Sequence, residues 1–160
     1  MSLNISASST SDQPKPLAIR AILRSIIFNE YLLSQEPYVP LFQINDELCL
    51  FNHIDGELVT FSLRGERMDE IKINYQMDNG WDKEIIVNEE KTRCFAKFTR
   101  NGETSLVEIN PDTGQTMGSY VLEVHAFPTK IRVRGNEIYY LCKDYFEGET
   151  KYFLWKQKIM

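Results

Sequence analysis

The side chains able to do chemistry are few and scattered. The chain holds two histidines, His53 and His125, and three cysteines, Cys49, Cys94 and Cys142. A lone pair of histidines so far apart builds no zinc pattern, and no CxxC spacing is present. Each cysteine sits in a strand-like run (Leu48-Cys49-Leu50, Arg93-Cys94-Phe95, Leu141-Cys142-Lys143), where a thiol behaves as a small buried residue. A Ser or Cys nucleophile needs a base and an orienting acid. The cysteines have no evident partner, and neither a GxSxG elbow nor a Gly-rich phosphate loop occurs. The carboxylate pairs Asp69-Glu70 and Glu89-Glu90 read as solvated turns, and Asp112-Thr113-Gly114 as a turn rather than half a calcium loop. These residues predict no catalytic group, no metal site and no cofactor. One charge pattern does stand out: Lys130, Arg132 and Arg134 alternate with Ile131 and Val133. One face of that strand is basic, as either a solvated rim or an anion-binding stripe, and such charges predict that part of the strand is exposed.

The elements that must position these groups follow from a repeat. Gly56-Glu57, Gly102-Glu103 and Gly148-Glu149 recur at an interval of 46 residues, each inside an apolar, aromatic-rich stretch. Every unit opens with a short apolar strand (Leu41 to Ile44, Ile85 to Val87, Ile131 to Val133), a polar turn and a second strand (Leu48 to Phe51, Cys94 to Phe98, Ile138 to Cys142). The Gly-Glu turn leads to a third strand (Leu58 to Leu63, Ser105 to Ile109, Tyr152 to Trp155). The first two units add a fourth, around Ile71 to Ile73 and Tyr120 to Leu122. Leu48 and Leu50 point to one face of their strand while Cys49 and Phe51 point to the other. Apolar side chains on both faces are what a sheet sandwiched between neighbours requires. Four antiparallel strands in about 46 residues match the blade of a propeller. The expected fold is all-β: three propeller-type antiparallel blades, a partial β-propeller, over residues 38–160.

Residues 1–16 read as a flexible tail, and residues 17–37 as a helical or linker segment. Ile19, Ile22, Leu23, Ile26 and Ile27 follow helical spacing. The rival reading is a strand, since Ile26-Ile27-Phe28 is β-prone.

Composition excludes several classes. Hydrophobic residues make up 42% of the 160-residue chain, too many for wholesale disorder. A net charge of −5 argues against nucleic acid as a partner. No apolar run approaches the ~20 residues of a membrane helix, so no membrane span is expected. Met1 to Ser11 carries no basic region followed by an apolar one, so no secretory signal is recognised in this chain.

Further motifs are Pro40-Leu41-Phe42 with Asn45-Asp46-Glu47, then Tyr75, Trp81 and Lys83-Glu84-Ile85-Ile86, and Asn101-Gly102 with Ser105 to Ile109. Lys130 to Val133, Tyr139-Tyr140-Leu141 and Leu154 to Lys158 follow. On these motifs the chain resembles the six-bladed β-propeller proteins common among exported bacterial proteins of unassigned role. The resemblance covers roughly residues 17–160 and corresponds to the C-terminal half of the family's longer chains. The family implies an exported, periplasmic or cell-surface, location and ligand binding at one end of a central channel. The loops entering the innermost strands here hold Trp81, Lys83 and Glu84 in one unit and His125, Lys130 and Arg132 in the next, with Arg134 beyond. Trp81 beside charges suits a carbohydrate or peptide ligand, or else anchors blade packing. The position equivalent to His53 is Thr99 and then Tyr145, so no ring of metal ligands repeats.

The expected function is a non-enzymatic binding or protein-interaction module. Two alternatives stand beside it. One is a piece of a propeller lyase or hydrolase whose catalytic residues lie on absent blades; the other is a structural repeat that mediates oligomerisation. Three blades do not close a ring, which predicts self-association through the terminal blades.

Overall fold

The computed structural model describes residues 37–122, 127–146 and 149–159, and these belong to a compact unit that begins at Pro37. The tail expected over residues 1–16, the helix or strand expected within 17–33, and His125 lie outside the described residues.

The chain folds as consecutive antiparallel meanders. The first sheet holds β1 (Leu41–Ile44), β2 (Glu47–Asn52), β3 (Glu57–Ser62) and β4 (Arg67–Lys72), in that spatial order. The second holds β5 (Trp81–Val87), β6 (Cys94–Arg100), β7 (Glu103–Ile109) and β8 (Thr116–Val121), also in order. The third holds β9 (Thr129–Arg134), β10 (Glu137–Phe146) and β11 (Glu149–Lys158), with β10 central. A short 3-10 turn, Tyr75–Met77, links the first sheet to the second.

The Gly-Glu dipeptide does the same work in two hairpins of different length. Arg100 pairs with Glu103, leaving a two-residue loop, Asn101-Gly102. Both loop residues have positive φ, 53° and 82°, the left-handed pair that matches the twist of the flanking strands. Asn52 pairs with Glu57 across a longer loop that closes on Gly56 at φ 69°. Strand β4 begins upstream of the segment expected at Ile71 to Ile73. Its first residues, Arg67, Met68, Asp69 and Glu70, are all exposed, so an edge position left no apolar alternation to read.

Two apolar layers join the sheets. Cys49, Phe51 and Leu58 of the first sheet meet Ile85, Cys94, Ala96, Phe98 and Ile109 of the second. On the opposite face of the second sheet, Ile86, Phe95 and Leu106 meet Ile131, Val133, Ile138, Tyr140 and Cys142 of the third. The second sheet is apolar on both faces because it lies between the other two. Each large side chain so enclosed contributes on the order of 2 kcal/mol through removal of apolar surface from water.

The sheets are also stitched at their first turns. The Asn45 amide donates to the Lys91 carbonyl at 2.5 Å, and the Glu89 amide to the Val133 carbonyl at 2.9 Å. The Gly135 amide donates to the Glu90 carboxylate, 3.1 Å from each oxygen. These bonds hold the first strands β1, β5 and β9 on one side of the stack, where each is an edge strand of its sheet.

Candidate functional site

A groove of about 470 Å³ runs along those first strands, touching Phe42 and Gln43 of β1, Glu84 and Ile86 of β5, and Ile131 and Arg132 of β9. Beside it lies a cleft of about 450 Å³ between β5 and β9, lined by Glu84, Lys97, Thr129, Lys130, Ile131 and Arg132. Glu84 and Arg132 border both spaces.

Strand irregularities aim the charges. Tyr139 faces Arg132, but Leu141 faces Thr129, so β9 carries one residue more than β10 over this stretch. The surplus is taken up beside Lys130, whose φ is 54°; a bulge of this kind bends the strand and turns a side chain out of register. Strand β5 is irregular too, its register shifting between Trp81, opposite Phe98, and Ile85, opposite Ala96. Lys83 sits within that stretch at φ 53°.

The electrostatics of the cleft are uneven. Lys97 Nζ lies 3.0 Å from Glu84 and 3.4 Å from Asp82, so the acids of β5 are matched by a half-buried cation from β6. Arg134 reaches Glu89 at 3.5 Å. Lys130 and Arg132 are exposed, and among the described residues neither forms an ion pair or a side-chain hydrogen bond. Two cations thus border the cleft with no counter-charge from the described residues.

Of the residues singled out from sequence, the fold brings Glu84, Lys130 and Arg132 to one cleft. Trp81 and Lys83 do not line it. Arg134 borders a separate hollow with Glu90, Glu137 and Tyr139. Trp81 instead packs in an aromatic group, its ring 4.5 Å from His53, 6.1 Å from Tyr38 and 6.2 Å from Tyr75. Its indole nitrogen is buried with no hydrogen-bond partner among the described residues. Lys97 and Thr129 are the lining residues that sequence reasoning passes over. Lys97 leaves a signal, a lone charge inside the apolar run Phe95-Ala96-Lys97-Phe98.

His53 is the hub of the aromatic group. Its Nδ1 lies 3.0 Å from the Tyr38 carbonyl oxygen and its Nε2 2.7 Å from the Tyr75 hydroxyl. A carbonyl only accepts, so Nδ1 carries the proton, and the neutral ring accepts at Nε2 from Tyr75. Burial lowers the His53 pKa, and the bond to the Tyr38 carbonyl offsets part of that. Among the described residues no grouping of three or more His, Cys, Asp or Glu is placed to hold a metal. No protein-family model and no curated protein matches the chain.

Proposed function

We propose that the chain is a non-enzymatic binding module, its three sheets being blades of a partial β-propeller, and that the cleft between β5 and β9 takes an extended peptide bearing carboxylates. One observation carries the reading: among the described residues Lys130 and Arg132 border that cleft without an anionic partner, in a chain whose net charge is −5. Two exposed cations beside a cleft supply the charge-assisted bonds a carboxylate seeks. A peptide is favoured over other anions because β5 and β9 are edge strands, and an extended segment can add main-chain bonds along such an edge. Proton transfer is not favoured there. The Glu84 carboxylate is engaged by Lys97, and among the described residues no histidine lines the cleft.

Fluorescence anisotropy with a labelled acidic peptide, its neutral amide counterpart and an acidic oligosaccharide tests this. The acidic peptide binds best, more weakly as salt rises. The double change Lys130→Glu with Arg132→Glu weakens it by roughly tenfold or more, as expected when two charge-assisted hydrogen bonds can no longer form. Equal binding of acidic and neutral peptides, or indifference to both substitutions, would refute the reading.

A further inference from the structure

The third sheet turns toward solvent a face that the other two bury. At the repeat interval Cys49, Phe95 and Leu141 correspond, and so do Thr60, Leu106 and Tyr152. Phe95 and Leu106 are 0% exposed, and Cys49 and Thr60 are buried as well. Tyr152 is 62% exposed, and Leu154 is 70% exposed. The pairings Leu141 with Leu154 and Lys143 with Tyr152 put these four side chains on one face, opposite the Tyr140 and Cys142 side chains that meet the second sheet. The same face holds a hollow of about 650 Å³ walled by Phe127, Leu141 and Tyr152, with Lys130 and Lys143 at its margin.

Each junction in the molecule is made the same way. The face bearing Cys49 in the first sheet covers the face bearing Cys94 in the second, and the face bearing Phe95 covers the face bearing Tyr140 in the third. The face bearing Leu141 belongs to the covering kind. Among the described sheets its complement is the outer face of the first, carrying the partly buried Leu48, Leu50 and Phe61 and Val59 at 6% exposure, with Leu41 at 55% exposure opposite Leu50. Within one copy the second sheet stands between these two faces.

We propose that the Leu141–Tyr152–Leu154 face of the third sheet docks on the Leu41–Leu48–Leu50 face of the first sheet in a second copy of this chain. The contact continues the sheet-on-sheet packing that the chain already makes twice. It is heterologous, joining different surfaces of the two copies, and it closes when the second pair of faces meets in turn. The proposal does not depend on the peptide reading, and its variants leave Lys130 and Arg132 intact.

Sedimentation equilibrium of the full chain over a concentration series tests it, with circular dichroism as the control for folding. Leu154→Lys and Leu41→Lys change side chains that are more than half exposed, so the fold persists. The unaltered chain gains mass with concentration, while each variant alone associates at least tenfold more weakly. An equimolar mixture of the two variants regains a two-copy species, because one intact pair of faces remains. A chain that stays monomeric throughout overturns the proposal. So does unchanged association of Leu41→Lys, which would mean that like faces pair, or a mixture that remains monomeric.

Discussion

Arg93 holds Glu108 through two parallel hydrogen bonds, Nε to Oε1 at 2.7 Å and Nη2 to Oε2 at 2.6 Å, and the Tyr120 hydroxyl donates to the same carboxylate at 2.9 Å. The guanidinium also lies 5.1 Å from the centre of the Phe95 ring. Strands β6, β7 and β8 are thereby tied at the face that meets the third sheet. The Arg93 guanidinium holds the Glu108 carboxyl below its ordinary range, against the opposing effect of burial.

Removing one partner strands a mostly buried charge. Glu108→Ala or Arg93→Ala should therefore cost about 2 kcal/mol, with the double variant costing less than the sum. Urea unfolding of the four proteins checks this. Because the folded pKa of Glu108 is depressed, its contribution is present above about pH 4.3, the unfolded value, and is lost as pH falls through the lower folded value. Glu108→Gln should flatten that acid limb; an unchanged limb would show that other carboxylates set it.

His53 should make a second pH dependence. Its folded pKa is also depressed, here by burial, so the unfolded chain takes up the proton first. The stabilisation is complete above about pH 6.5 and declines as pH falls toward the lower folded value. An imidazole titration followed by NMR should show the depressed value directly. His53→Phe should remove this limb and cost about 1–3 kcal/mol by leaving the Tyr75 hydroxyl unpartnered. A His53 that titrates at the ordinary histidine value would contradict the half-buried, neutral ring.

The thiols should be silent in the native protein. Cys49, Cys94 and Cys142 are free and buried. Burial pushes Cys49 up to about 11 and Cys94 up to about 12, so the reactive thiolate is scarce at neutral pH. A colorimetric thiol reagent should label the folded chain slowly and all three cysteines after denaturation. Rapid labelling without denaturant would mean that the sheets open locally.

Two turn glycines should answer differently to alanine. Gly102 and Gly114 both have positive φ, 82° and 68°. A Cβ on Gly102 meets nothing within 4 Å, whereas on Gly114 it falls 2.6 Å from the Lys72 carbonyl oxygen of the neighbouring sheet. Gly102→Ala should cost about 1 kcal/mol, the backbone penalty alone. Gly114→Ala should cost clearly more, because it also forces the sheets apart. Equal thermal shifts for the two would remove this explanation.

Much of the strand plan is readable from residue type. The run Leu48 to Phe51 alternates, the Gly-Glu pairs punctuate, and apolar side chains on both faces of that first-unit strand announce sheets that pack face to face, although among the described sheets it is the second that lies between two others. β4 starts earlier than its apolar residues suggest, because its exposed polar beginning carries no periodicity. The candidate site is half legible. Glu84, Lys130 and Arg132 stand near the first strands in sequence and do share a cleft. Trp81 stands near them too, yet its ring turns to His53, a residue that in sequence is only an isolated histidine.

The amino-acid sequence determined the sheets themselves: strand alternation and turn residues are local, and the 46-residue period repeats them. Tertiary structure decided which charges are neutralised. Lys97 meets Glu84 across a register that shifts between Trp81 and Ile85, and Arg93, just before β6, meets Glu108 of β7. The bulge beside Lys130 sets it and Arg132 at the cleft, where neither gains an ion pair from the described residues. Pairing over a few ångströms depends on register, bulges and the stacking of one sheet on the next, and none of these is written in the spacing of residues along the chain.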